Sequence, residues 1–130
     1  MKEDLLHFVW MYRKYPMNCL LTSTGESIQV KSTGIQNHLS GPDFFNAQVE
    51  LNGQLWAGNV EVHIKSSDWY AHNHQKDAKY DNVILHVVWE DDISVFRKDG
   101  SQIPTLSLKD YIPLKVLEIY QKLLDANNYK

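Results

Sequence analysis

The chain has 130 residues, of which 43% are apolar and 22% charged. That profile suits one globular domain with a real core and excludes a disordered tail. Thirteen Lys and Arg against sixteen Asp and Glu leave a formal charge of −3, which excludes a broadly basic nucleic-acid coat but not a local basic groove. The one cysteine, Cys19, excludes an internal disulfide framework. The first residues, MKEDLLHFVWMYRKYP, carry acids where a signal peptide needs bases, and no apolar run approaches the roughly 20 residues that span a bilayer. The expectation is a soluble, cytoplasmic protein with no membrane partner.

Residues 3–14 predict a helix, with Leu5, Leu6, Val9 and Trp10 as its apolar stripe, acids at its positive end and Pro16 as its stop. Residues 27–31 read as a short strand, and 32–42 as a polar loop with two glycines and a proline. Phe45, Ala47, Val49 and Leu51 then alternate with polar residues as a half-buried strand. Asn52-Gly53 signals a tight hairpin, returning through Trp56, Gly58, Val60, Val62 and Ile64 on one face. A two-residue turn pairs Val49 with Trp56 and Phe45 with Val60, so the apolar faces agree. Residues 66–82 are polar and predict a helix or long turn. VILHVVW (83–89) reads as a central strand covered on both faces. Residues 94–97 and 102–108 flank Lys98-Asp99-Gly100 as a second hairpin, and from about 113 an apolar stripe marks a last helix. The fold class is α+β: a mixed central sheet flanked by helices, in a single domain over 1–130.

The chemistry-bearing residues gather on the first hairpin. Glu61, His63 and Lys65 share one face of the return strand, because side chains two apart point the same way. A carboxylate between Val60 and Val62 must be paired or bind a metal if it is buried. Asp43 heads the opposite strand after Gly41-Pro42. In strict register it stands opposite Val62 and points away from Glu61, so bringing the two acids together needs a bulge near Gly41-Pro42-Asp43. Two carboxylates there suit Mg²⁺ or Mn²⁺. Asp43 and Glu61 are the expected metal ligands. His63, or failing that Lys65, is the expected group that orients a water or offsets developing charge.

Two resemblances follow from these residues. GPDF (41–44) and EVH (61–63), on the order α-β-β-β-α-β, resemble the PD-(D/E)XK nuclease superfamily. That resemblance implies a restriction-endonuclease-like core and a divalent-metal-dependent phosphodiesterase acting on nucleic acid. Asp43 and Glu61 take the metal-binding positions, and His63 stands where the family has lysine. EDLLHFVW, GPDFFNAQVELNGQLWAGNVEVHIKSSDWY and YDNVILHVVWEDD also resemble the N-terminal part of a bacterial family known as domain of unknown function 2851. Members of that family are longer, which implies a fragment or a short paralogue.

Other readings stand beside these. Asp43 also reads as a turn residue, and Glu61 and His63 as the solvent side of an amphipathic strand. His63, His72, His74 and His86 invite a zinc site, although their spacing matches no structural zinc pattern; His86 alone reads as a hydrogen-bonded core histidine. Lys31, Asn37 and His38 near the polar loop, with Lys79, are candidate substrate contacts. The alternative functions are a nuclease-like binding or assembly module without turnover, paired with another copy or a missing C-terminal region, and a His-rich zinc domain.

Overall fold

Helix α1 (Glu3–Met11) buries Leu5, Leu6, Val9 and Trp10 on one face. It stops three residues before the expected end. Arg13 adopts a left-handed φ of 55°, and the N–H groups of Arg13 and Lys14 return to the carbonyls of Trp10 and Val9. This is a helix-ending double bond of the kind glycine usually makes. The Arg13 guanidinium compensates by donating to the carbonyls of Val30 and Lys31 at 2.9 and 3.2 Å.

The computed structural model describes residues 1–128. After α1 come β1 (Leu20–Leu21), β2 (Ser27–Ser32), β3 (Ile35–Gln36), β4 (Phe44–Leu51) and β5 (Gln54–Lys65). Helix α2 (Asp68–Ala71) and two 3-10 turns (His74–Lys76 and Ala78–Tyr80) cross over to β6 (Val83–Glu90). Strand β7 (Thr105–Ser107), a 3-10 turn (Leu108–Asp110) and α3 (Leu114–Asn128) complete the described residues.

The sheet runs β1-β2-β4-β5-β6-β7, with β3 pairing β4. The first pairings are antiparallel, and β5-β6 and β6-β7 are parallel. Asn52 and Gly53 both take positive φ, the turn geometry that suits a two-residue hairpin, and Val49 pairs with Trp56 as expected. Beyond β1, the Ser23 N–H donates to the Thr105 carbonyl at 2.9 Å, and the Tyr111 hydroxyl accepts the Leu21 N–H at 2.9 Å. The two ends of the sheet therefore meet. The architecture is mixed α+β, with a mixed, nearly closed, barrel-like sheet and few helices.

The second hairpin expected over 94–108 is reduced to one bridge, Phe96 to Gln102. Residues 105–107 instead run parallel to β6, where Leu106 finds a fully buried position. The expected α-β-β-β-α-β order is present with three short strands added, and element order alone does not establish a restriction-endonuclease-like core.

The core has two parts. The larger joins α1 to one side of the sheet and takes Leu117 of α3. The smaller, Trp69, Tyr80, Val83, Val95 and Ile103, sits beneath the crossover between β5 and β6. Strand β6 is accordingly buried from Val83 to Val88. Gly58 permits the close β5-β6 approach: a Cβ there would lie 2.5 Å from Ile84 Cγ2 and 2.8 Å from the Asn82 carbonyl. Gly58→Ala is expected to destabilise the fold by about 1–3 kcal/mol, the usual cost of overpacking, read as a lower urea midpoint with an unchanged slope.

Candidate metal centre

A bulge aligns the site. Between the pairs Phe44–Val60 and Ala47–Gly58, β4 spends two residues against one on β5. Asn46 absorbs the extra residue with φ of 58°, and its N–H donates to the Asn59 side chain at 3.3 Å. The bulge therefore lies at Phe45-Asn46, not at Gly41-Pro42-Asp43 where it was expected. It moves Phe44 rather than Phe45 into the core. It also moves Asp43 one place along β5, from opposite Val62 to opposite Glu61.

The two acids meet as a result. The Asp43 N–H donates to Glu61 Oε1 at 3.1 Å, and Asp43 Oδ2 accepts the Val62 N–H at 2.8 Å. Glu61 is buried, at 4% exposure, so it does not lie on the solvent side of the strand. Burial, and then the neighbouring Asp43 charge, push its carboxyl well above the ordinary carboxylate range.

The polar crossover folds over this face and supplies imidazoles. Its start is tied to Asp92, whose carboxylate accepts from the Ser66 hydroxyl at 2.8 Å, the Ser67 N–H at 2.9 Å and the Ser67 hydroxyl at 2.7 Å. Trp69 is fully buried and anchors α2 by donating from Nε1 to the Phe96 carbonyl at 3.2 Å. Asn73 then turns the chain with φ of 57°, and His74 begins the first 3-10 turn, stacked 3.8 Å from the Tyr80 ring. His74 Nε2 reaches 2.8 Å from Glu61 Oε2, and His63 Nε2 lies 3.4 Å from the same oxygen. His72 closes the group: nitrogens of His63, His72 and His74 lie within 4.8 Å of one another.

The 2.8 and 3.4 Å separations from Glu61 Oε2 fit a metal polyhedron. Donors held about 2.0–2.2 Å from one ion sit roughly 3 Å apart around it. His74 Nε2 is buried and lacks a hydrogen-bond partner despite its 2.8 Å approach to Glu61, so the two atoms converge without aligning as donor and acceptor. A carboxylate with several imidazoles favours zinc or another first-row transition ion over the all-oxygen shell that Mg²⁺ prefers. Spacing along the chain hid this set, because its histidines come from β5, α2's end and a 3-10 turn.

Of the remaining expected residues, His86 stays beside the group and the others lie apart from it. His86 is fully buried on β6, with Nε2 2.7 Å from His63 Nδ1. Lys65 sits exposed at the end of β5, its N–H donating to Asp68 Oδ2 at 3.2 Å. Lys31 pairs with Glu50 at 3.2 Å. Asn37 braces its own loop, donating to the carbonyls of Leu39, Ser40 and Pro42. His38 is exposed on that loop. Lys79 reaches across to the Ser40 hydroxyl at 3.1 Å, linking the crossover to the loop that precedes Asp43.

Two residues of α1 were not anticipated. His7 Nε2 stands 3.6 Å from Asp43 Oδ2. Glu3, one turn earlier, has its carboxyl raised by burial and then by Asp43. Their i, i+4 spacing beside the apolar stripe is a signal in the sequence, since such pairs share a helix face.

The chain belongs to the family described as "Protein of unknown function (DUF2851)", which matches residues 3–130. No curated protein and no solved structure matches the chain. Among the described residues, no helix is long and apolar enough to cross a membrane.

Burial lowers the imidazole pKa values of His63, His74 and His86, to about 2, about 4 and about 3. A group whose pKa falls on folding contributes stability that is complete above its unfolded value near 6.5 and is lost as pH falls toward the folded value. The raised Glu61 carboxyl acts the other way, contributing more as pH falls, but it is one group against three. Metal-free protein in chelator is therefore still expected to lose melting temperature from pH 6.5 down to pH 4. His74→Asn is expected to flatten part of that acid limb in thermal melts across the range.

Proposed function

We propose that this member of the DUF2851 family is a divalent-metal-dependent phosphodiesterase acting on nucleic acid. One observation supports it most. Glu61 Oε2 lies 2.8 and 3.4 Å from ring nitrogens of His74 and His63, the Asp43 N–H donates to the other Glu61 oxygen, and His72 lies within 4.8 Å of His63 and His74. Sequential strand order, with an antiparallel hairpin followed by a parallel crossover, is consistent with the nuclease resemblance.

In this reading Glu61, His63 and His74 would hold the ion and leave a position open for water. The bound ion would supply Lewis-acid polarisation of the phosphodiester and a water of lowered pKa. Glu61 must lose its proton to bind, so loading releases a proton and strengthens as pH rises. Asp43 keeps a side chain 23% exposed on the open side of the pair, placed to take a proton from attacking water. His7 stands beside it to relay that proton. As the new P–O bond forms and the ester P–O bond breaks, the exposed imidazole of His72 can protonate the leaving oxygen. Lys65, at the exposed strand end, has no place in this arrangement. Lys79, on the lip beside Ser40, offers the nearby positive charge for a phosphate.

A second reading, a zinc site that supports the fold without turnover, is favoured by the mutual approach of His63, His72 and His74. One set of measurements separates the two. Chelator-treated protein is loaded with Zn²⁺, Mn²⁺ or Mg²⁺ and assayed on bis(p-nitrophenyl) phosphate and on labelled single- and double-stranded oligonucleotides. Turnover with Zn²⁺ or Mn²⁺, abolished by Glu61→Gln and lowered about 10²–10⁴-fold by Asp43→Asn, is the expected result. Zinc raising the melting temperature with no cleavage of any substrate selects the structural role, and no binding of any ion removes both.

A further inference from the structure

We propose that His86 is the positioning residue of this centre: it accepts the Nδ1 proton of His63 and so leaves the His63 Nε2 lone pair facing Glu61. The inference rests on the metal-dependent reading above and adds to it a residue that touches neither ion nor substrate.

The geometry carries it. His63 Nδ1 and His86 Nε2 are 2.7 Å apart, both rings are buried, and the ring planes stand at 87°. At that separation the pair shares one proton, because two N–H groups would clash and two lone pairs would repel. On the far side of the His63 ring, Nε2 lies 3.4 Å from Glu61 Oε2. A ring nitrogen can ligate only without a proton, and a neutral imidazole with a bare Nε2 carries its hydrogen on Nδ1. With His63 Nε2 ligating as in the reading above, the shared proton belongs to His63, and His86 accepts it.

The same assignment gives His86 its own hydrogen on Nδ1. That atom is buried and has no polar partner. The Trp69 ring lies 5.5 Å from the His86 ring at a tilt of 60°, so an aromatic neighbour is present where a polar one is missing. Backbone pairing fixes the arrangement. Glu61 and His86 are register partners across the parallel β5-β6 pair, so the sheet, not a loop, sets the distance between the two imidazoles. A ligating histidine whose other N–H is donated to a fixed acceptor is locked in tautomer and ring orientation, and loss of such a partner typically costs about 10–100-fold in metal affinity.

The test reads the tautomer directly and does not require metal. Long-range 1H–15N imidazole spectra of chelator-treated protein at pH 7 are expected to place the His63 hydrogen on Nδ1. His86→Phe keeps the buried ring and removes the acceptor; it is expected to move that hydrogen to Nε2. His86→Gln, which retains an acceptor, is expected to keep it on Nδ1. In Zn²⁺ titrations His86→Phe is expected to bind about 10–100-fold more weakly than wild type, with His86→Gln recovering much of the loss. A wild-type His63 protonated on Nε2 overturns the proposal. So does a folded His86→Phe protein with an unchanged tautomer. If His86→Phe fails to fold, the wild-type and His86→Gln spectra still decide. If the tautomer depends on His86 as stated and wild type binds no ion, the positioning role stands and the metal reading falls.

Discussion

One extra residue on β4 decides what the hairpin can do. Without the bulge at Phe45-Asn46, strict alternation would send the Asp43 carboxylate into the apolar layer with Val62. With it, the register slips by one, Phe44 takes the core position and Asp43 closes on Glu61. Bulges commonly re-aim a side chain beside a site. Here an asparagine at positive φ absorbs the strain, and asparagine tolerates that region better than most residues. What depends on that local kink is the meeting of Asp43 with Glu61; His63 and His74 reach the same carboxylate from β5 and from the crossover.

Burying four titratable groups, Glu61, His63, His74 and His86, in one corner is costly unless they satisfy one another. The corner manages this partly by neutrality. Burial disfavours the charged forms of Glu61, His63, His74 and His86 alike. The four buried groups are then favoured in their neutral forms, held close by the sheet and by the crossover pinned at Asp92. A divalent ion would supply the positive charge such a corner lacks, and the price is the Glu61 proton.

Much of the fold was legible in the sequence, because its signals are local. Alternation over β4, the Asn52-Gly53 turn and the unbroken apolar run of β6 each rest on a few neighbouring residues. The pairing of Asp43 with Glu61 was half legible. The residue pattern pointed to both, but the position of the bulge was not readable from Phe45-Asn46, where nothing resembles a turn. The second hairpin forms only near its turn, through the Phe96–Gln102 bridge and the Ile103 N–H bonded to the Val95 carbonyl, because the edge of β6 offers residues 105–107 a buried parallel berth. The imidazole set was named from the sequence as a possible zinc site, but nothing in its spacing gave a reason to prefer it. His63, His72 and His74 become neighbours only once the crossover is folded back onto β5, and no spacing rule encodes that.

The meeting of the sheet's two ends also governs how the molecule can associate. Strand β1 has two residues and β7 three, and the segment that follows β1 is already bonded to the start of β7 through Ser23 and Thr105. An open sheet displays a row of free backbone donors and acceptors that another strand can annex, whereas here those rows are short and turned toward each other. Among the described residues, the β1 and β7 edges therefore offer little free backbone for a further strand to extend.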